Sequence, residues 1–261
     1  MSRQDVDKLW QRFTSVTRAR IALGRSGDAL PTRRLLDFSY AHASARDAVA
    51  AQADFAAIAA QLQPIPSLRV ESAAQDRSTY LRRPDLGRKL GPGALGSLPA
   101  GPFDAVFVIA DGLSASAVQA HAVPLMKELY PRLADWKLGP AVLAGQARVA
   151  LGDEIGAAMG AAQVAVLIGE RPGLSVPNSL GVYLTFAPQI GRRDSERNCI
   201  SNIHADGLSY AAAAQMLAWL MSEARRLRLT GVGLKEDAGG QQKPLDSTPL
   251  KLRSSKQQQG D

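Results

Sequence analysis

The spacing of hydrophobic and polar positions changes along the chain, and the change divides it. Over residues 4–22, Leu9, Trp10, Phe13, Val16 and Ile21 recur near a 3.6-residue period, which predicts an amphipathic helix. GRSGDALPT (24–32) interrupts it with Gly and Pro. A second, alanine-rich helical stretch is expected from about 33 to 62, with Leu36, Phe38, Ala41, Ala45, Val49 and Phe55 marking a broad apolar face. PIPSLRVES suggests a short strand around 68–71. GPGALGSLPAGP (91–102) is a flexible loop and the best candidate boundary. Residues 1–90 are thus expected to form a helical N-terminal region, closed by a linker loop at 91–102.

Beyond the loop the period alternates. FDAVFVIA (103–110) is a continuous apolar run suited to a strand buried on both faces. A helix is predicted over 114–134, a strand over 136–144, a helix over 148–160 and an apolar strand over 163–169. LGVYLTFA (180–187) reads as another apolar strand and RNCISNI (197–203) as a short one. Ser209 caps an amphipathic helix running to about 228, with Met216, Leu217, Trp219, Leu220 and Leu227 inward. This alternation predicts an α/β domain over 103–234, a doubly wound, mostly parallel, Rossmann-like sheet. The remaining segment, 235–261, is polar and rich in Gly, Pro and Gln, too poor in apolar residues to offset its ordering entropy, and is expected to be a disordered tail.

Composition narrows the functional classes. The net charge of +7 invites a nucleic-acid or membrane-surface reading. Its distribution favours a solvated or subunit-facing basic surface instead. Residues 1–34 carry eight Arg and Lys against three Asp, and RRPDLGRK (82–89) carries four against one. Aromatic residues are 5% of the chain, too few to build stacking platforms, and no helix-turn-helix, zinc-finger or RNP signature accompanies the patches. The single cysteine, Cys199, rules out an intrachain disulfide and fits a reducing compartment. The start, MSRQDVDKLWQRF, lacks the apolar core of a signal peptide, and no apolar run approaches the roughly 18 residues of a membrane span. A cytoplasmic protein without membrane or nucleic-acid partners is expected.

Candidate chemistry lies at strand ends. Gly91, Gly93 and Gly96 match G-x-G-x-x-G, but they precede a strand instead of following one, so a dinucleotide fingerprint is not expected. The three histidines, His42, His121 and His204, lie far apart without metal-ligand spacing, so no metal site is expected. Ser114, just past a strand, could cap a helix or meet a ligand. Ligands of doubly wound sheets bind outside the carboxyl ends of the strands. ADGLS (110–114), GERPG (169–173) and NCISN (198–202) are placed at such ends by the predicted elements. In GERPG, Glu170 could accept hydrogen bonds from ligand amides or hydroxyls, or the segment could be a structural turn with a surface Glu–Arg pair.

Taken in order, six segments resemble the small (light) subunit of ethanolamine ammonia-lyase. They are ARIALGRSGDALPTRRLLDFSYAHASARDAV (19–49), YLRRPDLGRKL (80–90), VFVIADGLSASAV (106–118), RVALGDEIG (148–156), VLIGERPGLSVPNSLGVYLT (166–185) and ERNCISNIHADGLSYAAAA (196–214). The resemblance covers roughly residues 6–234. It implies a subunit of a hetero-oligomeric lyase that converts ethanolamine to acetaldehyde and ammonia with adenosylcobalamin. The family's large subunit is a TIM barrel that binds substrate, and the small subunit closes over the corrin. The family's cobalamin contacts in this subunit fall on Val149, Glu170 and Cys199, with no catalytic residue on this chain.

No histidine here has an Asp two residues before it, so the D-x-H-x-x-G motif of base-off cobalamin proteins is absent. The family keeps the cofactor's own dimethylbenzimidazole on cobalt, and no protein metal ligand is implied. Some members carry a longer N-terminal extension linked to packaging in a bacterial microcompartment, which makes that compartment a second implied location; here the first helical pattern begins almost at residue 1. Two other readings compete: a stand-alone corrinoid- or nucleotide-binding module of the same fold, and a basic nucleic-acid-binding protein.

Overall fold

A computed structural model of the protein describes residues 3–17 and 19–234; the expected tail, 235–261, lies outside the described residues. Three helices open the chain: α1 (Arg3–Val16), α2 (Thr32–Ala50) and α3 (Phe55–Leu62). The single helix predicted over 33–62 is therefore two. The break falls where Asp54 accepts a hydrogen bond from the Ala57 amide at 3.0 Å, capping α3. A side chain that satisfies an orphan helix donor starts a new helix more readily than it continues an old one. The first helix also stops short of Ile21, and its apolar residues Leu9, Trp10 and Phe13 face outward.

Six strands form one sheet in the order β1-β3-β2-β4-β5-β6: β1 (Ser67–Glu71), β2 (Phe103–Ala110), β3 (Ala141–Gly145), β4 (Ala161–Gly169), β5 (Leu180–Phe186) and β6 (Asn198–Ile203). The helices between and after them are α4 (Arg77–Arg82), α5 (Ala115–Leu129), α6 (Leu151–Ala158) and α7 (Tyr210–Leu227). β1, β3, β2 and β4 are parallel, whereas β5 runs antiparallel to β4 and β6 antiparallel to β5. The sheet is mostly parallel, as expected, but the order is not the 3-2-1-4-5-6 of a dinucleotide-binding fold. The reversal has a local cause: residues 170–179 and 187–197 hold no α-helix, and a connection without a crossover helix returns the chain antiparallel. The short strand expected around 68–71 is β1, and it forms one edge of the sheet.

Side-chain parity splits the core into two layers. Ala105, Phe107 and Ile109 of β2 face α3, α5 and α7, together with Ile58, Leu125 and Leu217. Val106, Val108 and Ala110 face the other way, toward Leu151 and Ile155 of α6. Phe55, Ile58 and Leu62 share the first layer with the sheet, so α3 is built into the same core. α6 lies unusually close to β4 because Gly152 faces it. A Cβ there would come within 2.3 Å of Val166 Cγ2. α6 packs mainly on β2 and β4, and among the described residues no helix packs over the Cys199 and Ser201 end of the same face, where both residues are exposed.

Candidate functional site

The carboxyl end of β2 organises the site. Asp111, the residue after β2, accepts hydrogen bonds from the amides of Gln146 at 3.0 Å and Ala147 at 3.1 Å. These amides begin the loop from β3 into α6, so one buried carboxylate fixes where Arg148 and Val149 stand. Arg77, on α4, closes the arrangement. Its Nη1 lies 3.7 Å from Asp111 and donates to the Gly112 carbonyl at 2.8 Å, while its Nε donates to Val49 at 2.7 Å. Burial pushes the Asp111 carboxyl above its ordinary value, opposed by the two amides and by Arg77.

Tyr80 stands between two guanidinium groups. Arg77 lies 4.7 Å and Arg148 4.2 Å from its ring centroid, and its hydroxyl donates to the Ala147 carbonyl at 3.1 Å. Burial raises the phenol to about 12, so it remains a donor. Beside it opens a cavity of about 460 Å³ whose lining includes Tyr80, Arg148, Val149, Ile168, Glu170 and Tyr183. A second hollow of about 200 Å³ shares Arg148, Val149 and Tyr183 and adds Arg88 and Asp194.

Glu170 follows β4 directly. Its Oε2 accepts a 2.5 Å hydrogen bond from Ser179, and its side chain lies over Gly181, where a Cβ would stand 2.9 Å from Oε1. Glu170 is therefore turned across the face of β5, and forms no surface ion pair with Arg171. Tyr183 sits two residues further along β5 on that face and pairs in register with Cys199 of β6. Partial burial raises both the Tyr183 phenol and the Cys199 thiol above their ordinary values, the phenol further because of the neighbouring thiol. Cys199 keeps an exposed outer edge.

Val149, Glu170 and Cys199 thus gather around Tyr183. Val149 and Glu170 line one cavity with it, and Cys199 is its partner across the β5–β6 ladder. Cys199 does not lie at the carboxyl end of its strand, as expected. It is the second residue of β6, reached along the open sheet face, because β6 begins at Asn198 and runs toward Ile203. Ser114 caps α5, accepting from the Ala117 amide at 3.3 Å and donating to the Pro177 carbonyl at 2.9 Å. Gly91, Gly93 and Gly96 lie in a loop and a 3₁₀ turn ahead of β2. His121 bonds Tyr210 at 2.8 Å and His204 bonds Asn202 at 2.8 Å, both away from the cavity. Among the described residues, no group of three or more His, Cys, Asp or Glu could hold a metal, and no helix is long and apolar enough to cross a membrane.

Sequence reasoning missed Tyr80, Arg148 and Tyr183. For Tyr183 a signal was present. In LGVYLTF, Leu180, Val182 and Leu184 alternate with Gly181, Tyr183 and Thr185, the period-2 pattern of a strand whose two faces differ. The arrangement offers a carboxylate acceptor, a guanidinium donor and a phenol ring along a concave wall. That set can accept and donate hydrogen bonds and offers an aromatic face to a ligand.

Residues 7–235 match the family model for the ethanolamine ammonia-lyase light chain (EutC). The ethanolamine ammonia-lyase small subunit of Bradyrhizobium diazoefficiens is 54% identical over 249 residues, 92% of this chain and 93% of the relative. Those of Azotobacter vinelandii, at 52% over 239 residues, and Pseudomonas fluorescens Pf0-1, at 51% over 244, cover 88% and 90% of this chain, and 88% and 89% of their own lengths.

Proposed function

The chain belongs to the ethanolamine ammonia-lyase light-chain family, a subunit of that lyase, and we propose that it forms one wall of an adenosylcobalamin site closed by a TIM-barrel large subunit. The observation that carries this reading is the convergence of Val149, Glu170 and Cys199 on Tyr183, along a part of the sheet face that no helix among the described residues covers. The residues fit the group. Val149 and the Tyr183 ring supply apolar surface for a macrocycle, and Glu170 supplies an acceptor for its fringing amides.

When bound, adenosylcobalamin supplies the radical chemistry of the deamination. This chain's residues bind and orient it and keep water from its exposed side. Glu170, tethered by Ser179, holds an acceptor at a fixed place above β5. Tyr183 stands opposite Cys199 across the β5–β6 ladder and presents its ring beside Glu170 and Val149.

Reconstitution tests the reading. The purified chain alone should show no ethanolamine turnover, and adding the cognate large subunit with adenosylcobalamin should restore it. Equilibrium dialysis should find tight cobalamin binding by the complex and weak binding by either subunit alone. Binding by the lone chain as tight as by the complex would establish a stand-alone corrinoid module instead. Failure of a competent large subunit to restore turnover would reject the assignment to the lyase site.

A further inference from the structure

Two arginines line the cavity without a counter-ion among the described residues; Arg171 is exposed to solvent, whereas Arg148 is partly buried. Two guanidinium groups flank Tyr80, and only one has a counter-ion: Arg77 lies 3.7 Å from Asp111. Among the described residues no carboxylate lies within 4.0 Å of Arg148. Its one side-chain hydrogen bond is a long contact of 3.4 Å from Nη2 to the Tyr80 carbonyl, and its Nε is buried without a partner. The carboxylates nearest the cavity are engaged elsewhere: Glu170 with Ser179 at 2.5 Å, and Asp194, in the adjoining hollow, with Arg197 at 3.5 Å. Arg88 lines that same hollow and adds positive charge.

A shielded cation without a counter-ion is costly, and proteins pair such groups or present them to a charged ligand. Arg148 is also held in place. Its guanidinium stacks on Tyr80, and its loop is pinned by Asp111. It lines both hollows beside Val149 and Tyr183. A planar fork of donors fixed in this way matches a tetrahedral anion with two exposed oxygens.

We propose that Arg148 binds the phosphodiester of the cobalamin nucleotide loop. The proposal rests on the reading of this site as a cobalamin wall and deepens it. The corrin side chains of cobalamin are neutral amides, so the phosphodiester is the group whose charge complements Arg148. A carboxylate from the large subunit is the rival occupant. The position of Arg148 in the same cavity as Val149 and Glu170, instead of on a separate outer surface, favours the cofactor.

The test uses the two-subunit complex and two probes, hydroxocobalamin and cobinamide, which lacks the nucleotide loop and its phosphodiester. Binding is followed by absorbance titration or dialysis, without turnover. Arg148→Gln should weaken hydroxocobalamin binding about 10- to 100-fold, the worth of a charge-assisted hydrogen bond, and leave cobinamide affinity unchanged within about twofold. Arg148→Lys keeps the charge but not the fork and should fall between wild type and Arg148→Gln. Thermal unfolding and subunit assembly of the empty complex monitor the fold, since Arg148 also packs on Tyr80. Equal loss of both corrinoids, or weaker subunit association before any corrinoid is added, would overturn the proposal. Absence of hydroxocobalamin binding by the wild-type complex would instead remove the cobalamin reading on which it rests.

Discussion

At the scale of single residues, the site depends on what is missing as much as on what is present. Gly181 has no side chain, and Glu170 occupies that space. Substituting Gly181→Ala would put a Cβ 2.9 Å from Glu170 Oε1 and 3.1 Å from its Cγ, so the Glu170 side chain must shift and its bond to Ser179 is disturbed. The expected result is a stability change below about 1 kcal/mol, because no backbone must move. Corrinoid affinity of the complex should drop by about fivefold, the worth of one displaced hydrogen bond. Chemical denaturation read beside a binding titration checks both; an unchanged affinity would mean that Glu170 does not act from this position.

His121 gives a residue-level prediction of a different kind. Burial holds its imidazole below the ordinary 6.5, so folding favours the neutral ring. Above pH 6.5 both folded and unfolded states are neutral here, and the residue adds no pH dependence. As pH falls through the unfolded value, the unfolded chain takes up the proton first and stability is lost. Unfolding free energies at pH 7.5 and 5.0 should therefore differ less for His121→Gln than for wild type. An equal difference in both proteins would show that another group controls this window.

At the scale of elements, two arms of the site are tied together by a buried ion pair. Arg197, just before β6, donates to both carboxylate oxygens of Asp153 in the first turn of α6, each at 2.6 Å, and to Thr185 of β5 at 2.8 Å. The pair links the loop carrying Val149 to the strand carrying Cys199. Both side chains are almost fully buried, at 2% and 1% exposure, so removing Arg197 leaves the Asp153 charge buried, and removing Asp153 leaves Arg197 only the exposed Asp194 at 3.5 Å. Arg197→Met or Asp153→Leu alone should cost about 3–5 kcal/mol of stability, whereas the double substitution should recover most of it. Urea unfolding of the three variants completes the cycle; strictly additive losses would deny the coupling.

How far these elements were readable depends on where their signals lay. β2 and β4, buried on both faces, announce themselves as apolar runs, and their bounds fall within two residues of expectation. The break between α2 and α3 was less visible, since an alanine-rich segment carries helical propensity straight through it and only Asp54 marks the new start. The β5 reversal depends on the absence of a helix in 170–179, a property of the loop and not of the strand. Glu170 was legible because it follows an apolar strand. Arg148 was not, because its meaning comes from Tyr80, Asp111 and Gly87, all remote in sequence.

At the scale of the whole molecule, the sheet is finished on one side and unfinished on the other. α3, α5 and α7 cover one face, while α6 packs mainly on β2 and β4 on the opposite face and touches the β5 side through the Asp153–Arg197–Thr185 bonds. The bare stretch over β5 and β6 is where Tyr183 and Cys199 lie, so the proposed wall is a part of the sheet that this chain leaves for something else to cover. Cys199 reports on that cover, being the only cysteine in the chain. Its thiol has an exposed edge but titrates above the ordinary value of 9.0 because of partial burial. In the lone subunit it should react slowly with a maleimide at pH 7 and faster as pH rises, since the thiolate is the nucleophile. In the assembled complex with bound cobalamin it should be protected at every pH. Mass spectrometry of the small subunit reads both states from one site. Equal labelling in the lone and assembled forms would place the cover somewhere other than the β5–β6 face.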